Sequence, residues 1–556
     1  MKYPYENLEN FTLPSLLNRS VNLYKDRPSF GMVSQKAMSY GEFMQKVHET
    51  VEILQKNGVS KGDKVVLLGE NMPNWGVSYF AVTYFGAVVV PILVDFHPSD
   101  IHHIIKHSEA KAMFVSDKCL ESIEEGEIAD VKLVISLNSL EILEELTDRS
   151  YVTQIKKRLS NLSLERSTPA EDDLAAIIYT SGTTGHSKGV MLSHKNLVTN
   201  ALSSHSKINM LPSDVFLSIL PLAHTFECTV GLIIPILHGS SVYYIDKMPT
   251  PTVLLKSFKI VKPTMIISVP LIIEKIYKNR VLAKFNSSFI MRNLYKIPFI
   301  RKKLNELAGK KLIETFGGNL RFFAVGGAAL PLYVEEFLIE AKFPYLVGYG
   351  LTETAPMLAG SVLGGETKVK STGTAFAGVE IRIDNKDPKT GEGEIVAKSP
   401  SVMMGYYKDK EKTDAAFDNG WFLTGDLGYI DEDGFLFISG RSKNVIIGSG
   451  GKNIYPEQIE SIINKNLAVL DSLVMEQEGR LIARILLDYE FVDKKFESHI
   501  NSNSKLQKDI ISLLEEVRVD VNSQLASFSK IVKFIEQREP FIKTPTKKIK
   551  RYLYAN

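Results

Sequence analysis

The sequence predicts an α/β protein. It should have a large N-terminal domain of parallel sheets covered by helices, carrying a small β-rich subdomain, followed by a small α+β C-terminal lid domain. Three observations lead there. From about residue 60, strand-like and helix-like segments alternate, which is the rhythm of strand–helix–strand units. The strand-like runs are almost continuously apolar, as expected where helices cover both faces of a sheet. Past about residue 366 the texture shifts to short strands and turns, and past Arg441 to a compact α+β pattern.

In chain order, DKVVLLG (63–69) reads as a strand, 73–86 as a helix, AVVVPIL (87–93) as a strand, 98–108 as a helix and AKAMFVS (110–116) as a strand. AAIIYT (175–180) is a further strand, followed by a Gly-rich loop and a helix starting near Ser193. VFLSIL, PTMIISV and LRFFAVGG each precede a helix-like stretch. DEDGFLFISG (431–440) holds an Asp433–Gly434 hairpin signal, because Gly accepts the positive φ that tight hairpins require. Farther on, Pro456 opens a helix. DSLVMEQEGRLIARILLDYE reads as two strands around a Gly turn. Leu506, Ile510, Leu513, Leu514, Val517 and Val521 line one apolar helical face. The expected division is residues 1–440, with the β-rich part at about 366–440, and residues 441–556.

Composition excludes several classes. A net charge of +2 over 556 residues leaves no overall field for collecting nucleic acid, so any polyanion site must be local. Cys119 and Cys228 sit in no CxxC and beside no His cluster, which argues against a disulfide framework or zinc site and for a reducing, cytoplasmic setting. MKYPYENLENF has two acidic residues and no apolar stretch, so no secretory signal is expected. Residues 71–94 are uncharged and long enough to span a bilayer. Gly86 and Pro91 interrupt them, however, and a buried helix followed by a buried strand fits better.

The strongest motif is YTSGTTGHSKGVMLSH (179–194). Gly182, Gly185 and Gly189 permit close backbone approach, Thr180, Ser181, Thr183 and Thr184 supply hydroxyls, and Lys188 adds charge. Donors without bulk between a strand and a helix suit an oligophosphate. The spacing is not that of GxxxxGK[ST]. LPLAHTFE (220–227), AVGGAAL (324–330), VGYGLTET (347–354), GWFLTGDLGYIDEDGFLFISGRSKNVI (420–446) and GSGGKNIYPEQIE (448–460) follow. The series ends on KTPTKKIKR (543–551), where five of nine residues are basic; taken alone, that run reads as solvated surface.

In this order the motifs resemble those of the adenylate-forming acyl-CoA synthetases, over nearly the whole chain, with a texture most similar to bacterial long-chain fatty acid–CoA ligases. The resemblance implies a two-step reaction that uses ATP, Mg²⁺ and CoA. It implies ATP binding by Thr180, Ser181, Gly182, Thr183, Thr184, Gly185, Lys188, Gly327, Ala328, Tyr349, Gly350, Thr352, Asp426, Arg441 and Lys548, with Lys548, His224 and Thr352 catalytic. Tyr349 would stack on adenine, Asp426 and Arg441 would take the ribose, and Glu353 with Thr184 would hold Mg²⁺; a carboxylate suits a hard cation. His224, Thr225, Phe226, Gly327 and Gly348 would line the acyl site. Lys443 would be the hinge, and Gly450, Gly451 and Lys452 would meet CoA. The chain departs from the family pattern twice: Ser187 stands where Pro is usual, and Lys547 where Gly is usual.

The acceptor thiol can be CoA or an acyl carrier protein. A fatty acyl-AMP ligase and a non-catalytic lipid- or nucleotide-binding homologue are the rival readings; no nucleic-acid partner is expected. Residues 275–311 hold eleven Lys/Arg and one acidic residue, Glu306, among many apolar ones. That segment is a candidate for peripheral contact with the inner face of a membrane. A surface helix whose long side chains snorkel is the alternative.

Overall fold

The structure, a computed structural model, describes residues 8–148, 150–151, 168–180, 187–285, 288–448, 452–496, 503–545 and 547–554. The expectations placed on Ser181, Gly182, Thr183, Thr184, Gly185, Gly450 and Gly451 lie outside those residues.

Two large sheets form the body. The first runs, in spatial order, Gly405–Tyr406, Lys188–Ser193, Leu174–Thr180, Val88–Ile92, Lys64–Leu68, Ala110–Val115 and Leu133–Ser136. Its last five strands are parallel neighbours and are buried on both faces, as their unbroken apolar runs require. The second runs Phe30–Met32, Ser241–Tyr244, Val215–Ser218, Met265–Ser268, Phe322–Val325, Tyr345–Gly350, Met357–Gly360 and Thr374–Ala375. It is parallel as far as Tyr345–Gly350 and antiparallel beyond. Residues 71–94 form a helix, Pro73–Tyr84, and a strand, Val88–Ile92, both packed in the core. Among the described residues no helix is long and apolar enough to cross a membrane.

One expectation needs correction: a strand, Lys188–Ser193, stands between the Gly-rich loop and the helix that starts near Ser193. Seven residues separate Thr180 from Lys188. That is enough for a hairpin, whereas a parallel return needs a crossover of a dozen residues or more. Lys188–Ser193 therefore pairs antiparallel with Leu174–Thr180, and Thr180 faces Lys188 across the ladder. The helix His194–Ser203 begins only after this strand, where Ser193 and Asn196 make a reciprocal capping box.

The β-rich stretch forms a five-stranded antiparallel sheet from Glu380–Asp384, Gly393–Lys398, Trp421–Ile430, Phe417–Asp418 and Leu436–Arg441. It is stitched to the body, because Thr374–Ala375 and Gly405–Tyr406 each join a large sheet. The hairpin read at Asp433–Gly434 joins Trp421–Ile430 to Leu436–Arg441, with Gly434 at φ +82°.

The C-terminal part holds the hairpin Val469–Gln477/Arg480–Leu487, the parallel partner Lys533–Glu536 and the helices Pro456–Ile463 and Asn503–Gln524. Ile510, Leu513, Leu514, Val517 and Val521 are buried in a core of their own, with Leu506 packed at its edge. Leu513→Ala should cost about 2–5 kcal/mol by emptying that core. Urea unfolding of the full chain measures this, and an unchanged transition would show that the predicted helical face is not packed.

Candidate functional site

The candidate residues gather where strands of the second sheet end. Open α/β sheets bind ligands outside the carboxyl ends of their strands. Phe322–Val325 runs into Gly326, Gly327 and Ala328. Gly327 (φ +85°) and Ala328 are exposed there. A Cβ on Gly326 would come within 3.0–3.1 Å of the Phe226 ring, so glycine lets that ring close on the strand end. Tyr345–Gly350 ends beside it and carries Gly348, Tyr349 and Gly350. A Cβ on Gly350 would overlap the Pro356 carbonyl oxygen at 1.7 Å, which confines this position to glycine.

His224 caps the short helix Thr225–Cys228, its Nδ1 accepting from the Phe226 amide at 3.3 Å. A ring that accepts at Nδ1 carries its proton on Nε2. Burial, and then the charge of Lys548, lower its pKa to about 4, so the ring is neutral at ordinary pH. Asn71 braces the approach to His224: its amide donates to the Leu220 carbonyl at 2.6 Å and accepts from Leu222 N at 2.8 Å. The same amide reaches Ser218 Oγ, which donates to buried Glu227 at 2.6 Å. Burial pushes the Glu227 carboxyl up to about 8. Thr225, expected on the acyl side, is buried.

Asp426 lies on the inward face of Trp421–Ile430, whose Phe422, Thr424, Asp426 and Gly428 alternate inward. Its carboxylate accepts from the Tyr349 hydroxyl at 2.7 Å and pairs with Arg441 Nε at 2.8 Å. Arg441 sits directly across the hairpin. Burial raises the Asp426 pKa, opposed by Arg441, by the Tyr349 hydroxyl and by Lys548.

Thr352 and Glu353 sit in a tight turn, Thr352–Thr354. Two residues that the motifs did not flag hold it. Asn200, buried on the helix His194–Ser203, donates to the carbonyls of Thr354 (3.1 Å) and Met357 (3.0 Å) and accepts from Met357 N (3.2 Å). Tyr406 donates its hydroxyl to Glu353 Oε1 at 2.9 Å. Lys188 Nζ lies 4.9 Å from the centre of the Tyr406 ring. Burial lowers the Lys188 pKa, with Lys443 and Lys412 adding like-charge repulsion and Glu353 opposing. Glu353 thus offers an oriented carboxylate beside a cation, a donor set suited to Mg²⁺, which takes one or two carboxylates and completes its shell with phosphate oxygens and water.

The basic tail reaches this site. Thr544 N donates to the Lys548 carbonyl at 2.7 Å, and Lys548 N donates to Thr544 Oγ1 at 3.1 Å. Lys547 takes φ +63°, the left-handed conformation that glycine adopts freely. The residue that departs from the motif therefore keeps the backbone of the motif. Desolvation and Arg441 lower the Lys548 pKa, opposed by Asp426, Glu353 and Glu457. Lys548 is exposed as a residue, so water screens these interactions. Lys547 Nζ pairs with Asp95 Oδ2 at 3.0 Å, on the N-terminal body. Arg551 binds Glu460 and Glu457, and Lys543 binds Asp471. Lys452 is held elsewhere, 4.6 Å over the Phe528 ring.

A family model described as AMP-binding enzyme matches residues 17–407. The chain is 29% identical to long chain acyl-CoA synthetase 7, peroxisomal, of Arabidopsis thaliana, over 92% of this chain and 79% of that protein. It is 30% identical to fatty acyl-CoA synthetase B of Dictyostelium discoideum, over 83% of this chain and 74% of that protein. Among solved structures, ATP-bound MatB from Rhodopseudomonas palustris superposes with a TM-score of 0.74 at 25% identity, covering 97% of this chain and 98% of that one.

The enclosed state of His224 is testable by NMR. Its ring protons should show no transition between about pH 8 and about pH 5, where an unperturbed histidine titrates near 6.5. Because the folded pKa is depressed, the unfolded chain binds more protons between about 6.5 and about 4. His224 therefore makes the fold less stable as pH falls through that window. A transition near 6.5 would show that the ring is open to water.

Proposed function

This chain belongs to the AMP-binding enzyme family, and we propose that it works there as an ATP-dependent, AMP-forming ligase that activates a long-chain fatty acid and transfers it to CoA. One observation carries the reading. Lys188, Arg441, Lys443 and Lys548 crowd around Glu353 and Asp426; burial first, and then neighbouring cations, lower the pKa values of both Lys188 and Lys548. Such crowding is costly in an empty site and favourable around a polyanion. The names of the relatives above support fatty acids as the acid and CoA as the acceptor.

In the first step a carboxylate oxygen attacks the α-phosphorus of ATP, the bond to the β-phosphate oxygen breaks, and acyl-AMP and pyrophosphate form. The barrier is partly electrostatic. Two like unit charges 4 Å apart repel by ~4 kcal/mol at an effective dielectric near 20. Lys188 and Lys548 offset that repulsion as charge shifts in the transition state, and Thr352 contacts the α-phosphate. Asp426 and Arg441 hold the ribose, Tyr349 the adenine, and neutral His224 stands between acyl group and phosphate. Glu353, with Thr184, would hold Mg²⁺, which would supply further neutralisation of the phosphates.

In the second step the thiol sulfur attacks the acyl carbonyl carbon, and AMP leaves with the carbonyl–oxygen bond pair. This step calls for a thiol path where Lys548 had stood. We assign residues 1–440 and 441–556 as two domains that turn about Lys443, so that the 450–452 loop replaces Lys548. The separate apolar core of the C-terminal part supports that division. Both cysteines are buried and unpaired, which suits a cytoplasmic setting.

AMP release measured over fatty acids of graded length, with CoA or acyl carrier protein as acceptor, identifies acid and thiol together. Turnover only with the carrier protein would replace CoA in this account. Lys548→Ala should lower adenylation by on the order of 10²–10³-fold and leave thioester formation from supplied acyl-AMP largely intact. Equal loss of both half-reactions would refute the role given to Lys548.

A further inference from the structure

The segment from Ser288 to Leu304 contains five cations and no acidic residue, and the adenylation site uses none of it. It forms the helix Phe289–Tyr295, which has no buried residue, and the first turns of Pro298–Thr315. Had these helices simply snorkelled their long side chains over an apolar surface, their aromatic residues would be covered. They are not. Phe289 is 78% exposed, Ile290 70%, Phe299 68%, Leu307 63% and Ile297 47%. Arg292, Lys296, Lys302, Lys303 and Lys310 are exposed among them. On the longer helix, Phe299, Lys303, Leu307 and Lys310 stand at i, i+4, i+8 and i+11, one face. Lys303 Nζ lies 4.8 Å from the centre of the Phe299 ring. The opposite face is anchored: Asn305, Gly309 and Leu312 are buried, and Arg301 pairs with Glu340 at 2.7 Å.

We infer that this helix pair is a membrane-docking surface, on which Phe289, Ile290, Ile297 and Phe299 enter the acyl boundary of an anionic bilayer while the surrounding Lys and Arg meet its headgroups. Bulky apolar tips among Arg292, Lys296, Lys302, Lys303 and Lys310, with Glu306 the one carboxylate beside them and paired to Lys342, match an interface that is apolar inside and negative at its rim. A bilayer is favoured over a protein partner because the covered face, with Met291 and Tyr295 on the core, leaves Phe289, Ile290, Ile297 and Phe299 standing out among cations on two successive helices rather than along one stripe. A groove would cover only one such stripe. The surface goes beyond the ligase reading and is separable from it, since binding to lipid requires neither ATP nor acid.

The test is co-sedimentation of the full chain with vesicles of phosphatidylcholine alone and of phosphatidylcholine mixed with phosphatidylglycerol, at low and high salt. The expected result is binding to the anionic vesicles that weakens with salt. Each cation near an anionic surface contributes roughly a five-fold change in partitioning. The triple variant K296E/K302E/K303E should therefore bind at least about 100-fold more weakly. F289S/F299S should lose binding while keeping its net charge. Both variants should retain AMP release with a water-soluble short-chain acid, which shows that they are folded. Three results would overturn the inference: no binding to either vesicle, equal binding by wild type and both variants, or retention by an immobilised acyl carrier protein with none by vesicles.

Discussion

Asp426 brings a carboxylate into the place where three parts of the chain meet. It lies on a strand of the β-rich sheet, accepts the hydroxyl of Tyr349 from the end of a body strand, and pairs with Arg441, the residue that opens the C-terminal part. A buried carboxylate left unpaired would be strongly destabilising, by several kcal/mol. The Tyr349 hydroxyl and the Arg441 guanidinium therefore do more than decorate the site. They make burial of the charge tolerable, and in doing so they fix the end of the Tyr345–Gly350 strand, the β-rich sheet and the residue that opens the C-terminal part relative to one another.

Around that anchor the electrostatics are deliberately unbalanced. Lys188, from the body hairpin, and Lys548, from the tail, approach Glu353 from different parts of the chain. Neither could be held so close to other cations by a rigid single domain without cost. The tail is tied to the body there by the exposed pair between Lys547 and Asp95, and the C-terminal part is joined to it also by Tyr455 on Glu392 and Gln458 on the Ser439 carbonyl. Exposed ion pairs contribute only ~0–1 kcal/mol. That pair is therefore a small part of what holds the present arrangement.

The alternating rhythm of the body, the C-terminal core and the ordered motifs were legible in the sequence because each depends on local patterning. Asp426, Glu353 and Lys548 could be found because each sits in a dense motif. The supports of those residues could not. Asn200 looks like an ordinary helix residue until the chain returns 154 residues later to place Thr354 against it. Tyr406 belongs to a two-residue strand that sequence patterning does not mark. Asp95 is 452 residues from Lys547. The Gly-rich loop was assigned to a strand–helix junction because its composition was informative, whereas the seven-residue spacing that requires a hairpin is visible only once the strand Lys188–Ser193 is known.

The central claim is that the arrangement seen, with Lys548 beside Asp426 and Glu353, is the adenylating one and must be left before thioester formation. Locking it tests this directly. Cys119 and Cys228 are buried, so cysteines introduced as D95C and K547C can be joined selectively by a short bismaleimide whose spacer holds a disulfide that a reductant cleaves. The account predicts that the joined protein still forms acyl-AMP at close to its unjoined rate but no longer passes the acyl group to the thiol until the link is cleaved. Thioester formation at full rate by the joined protein would contradict it.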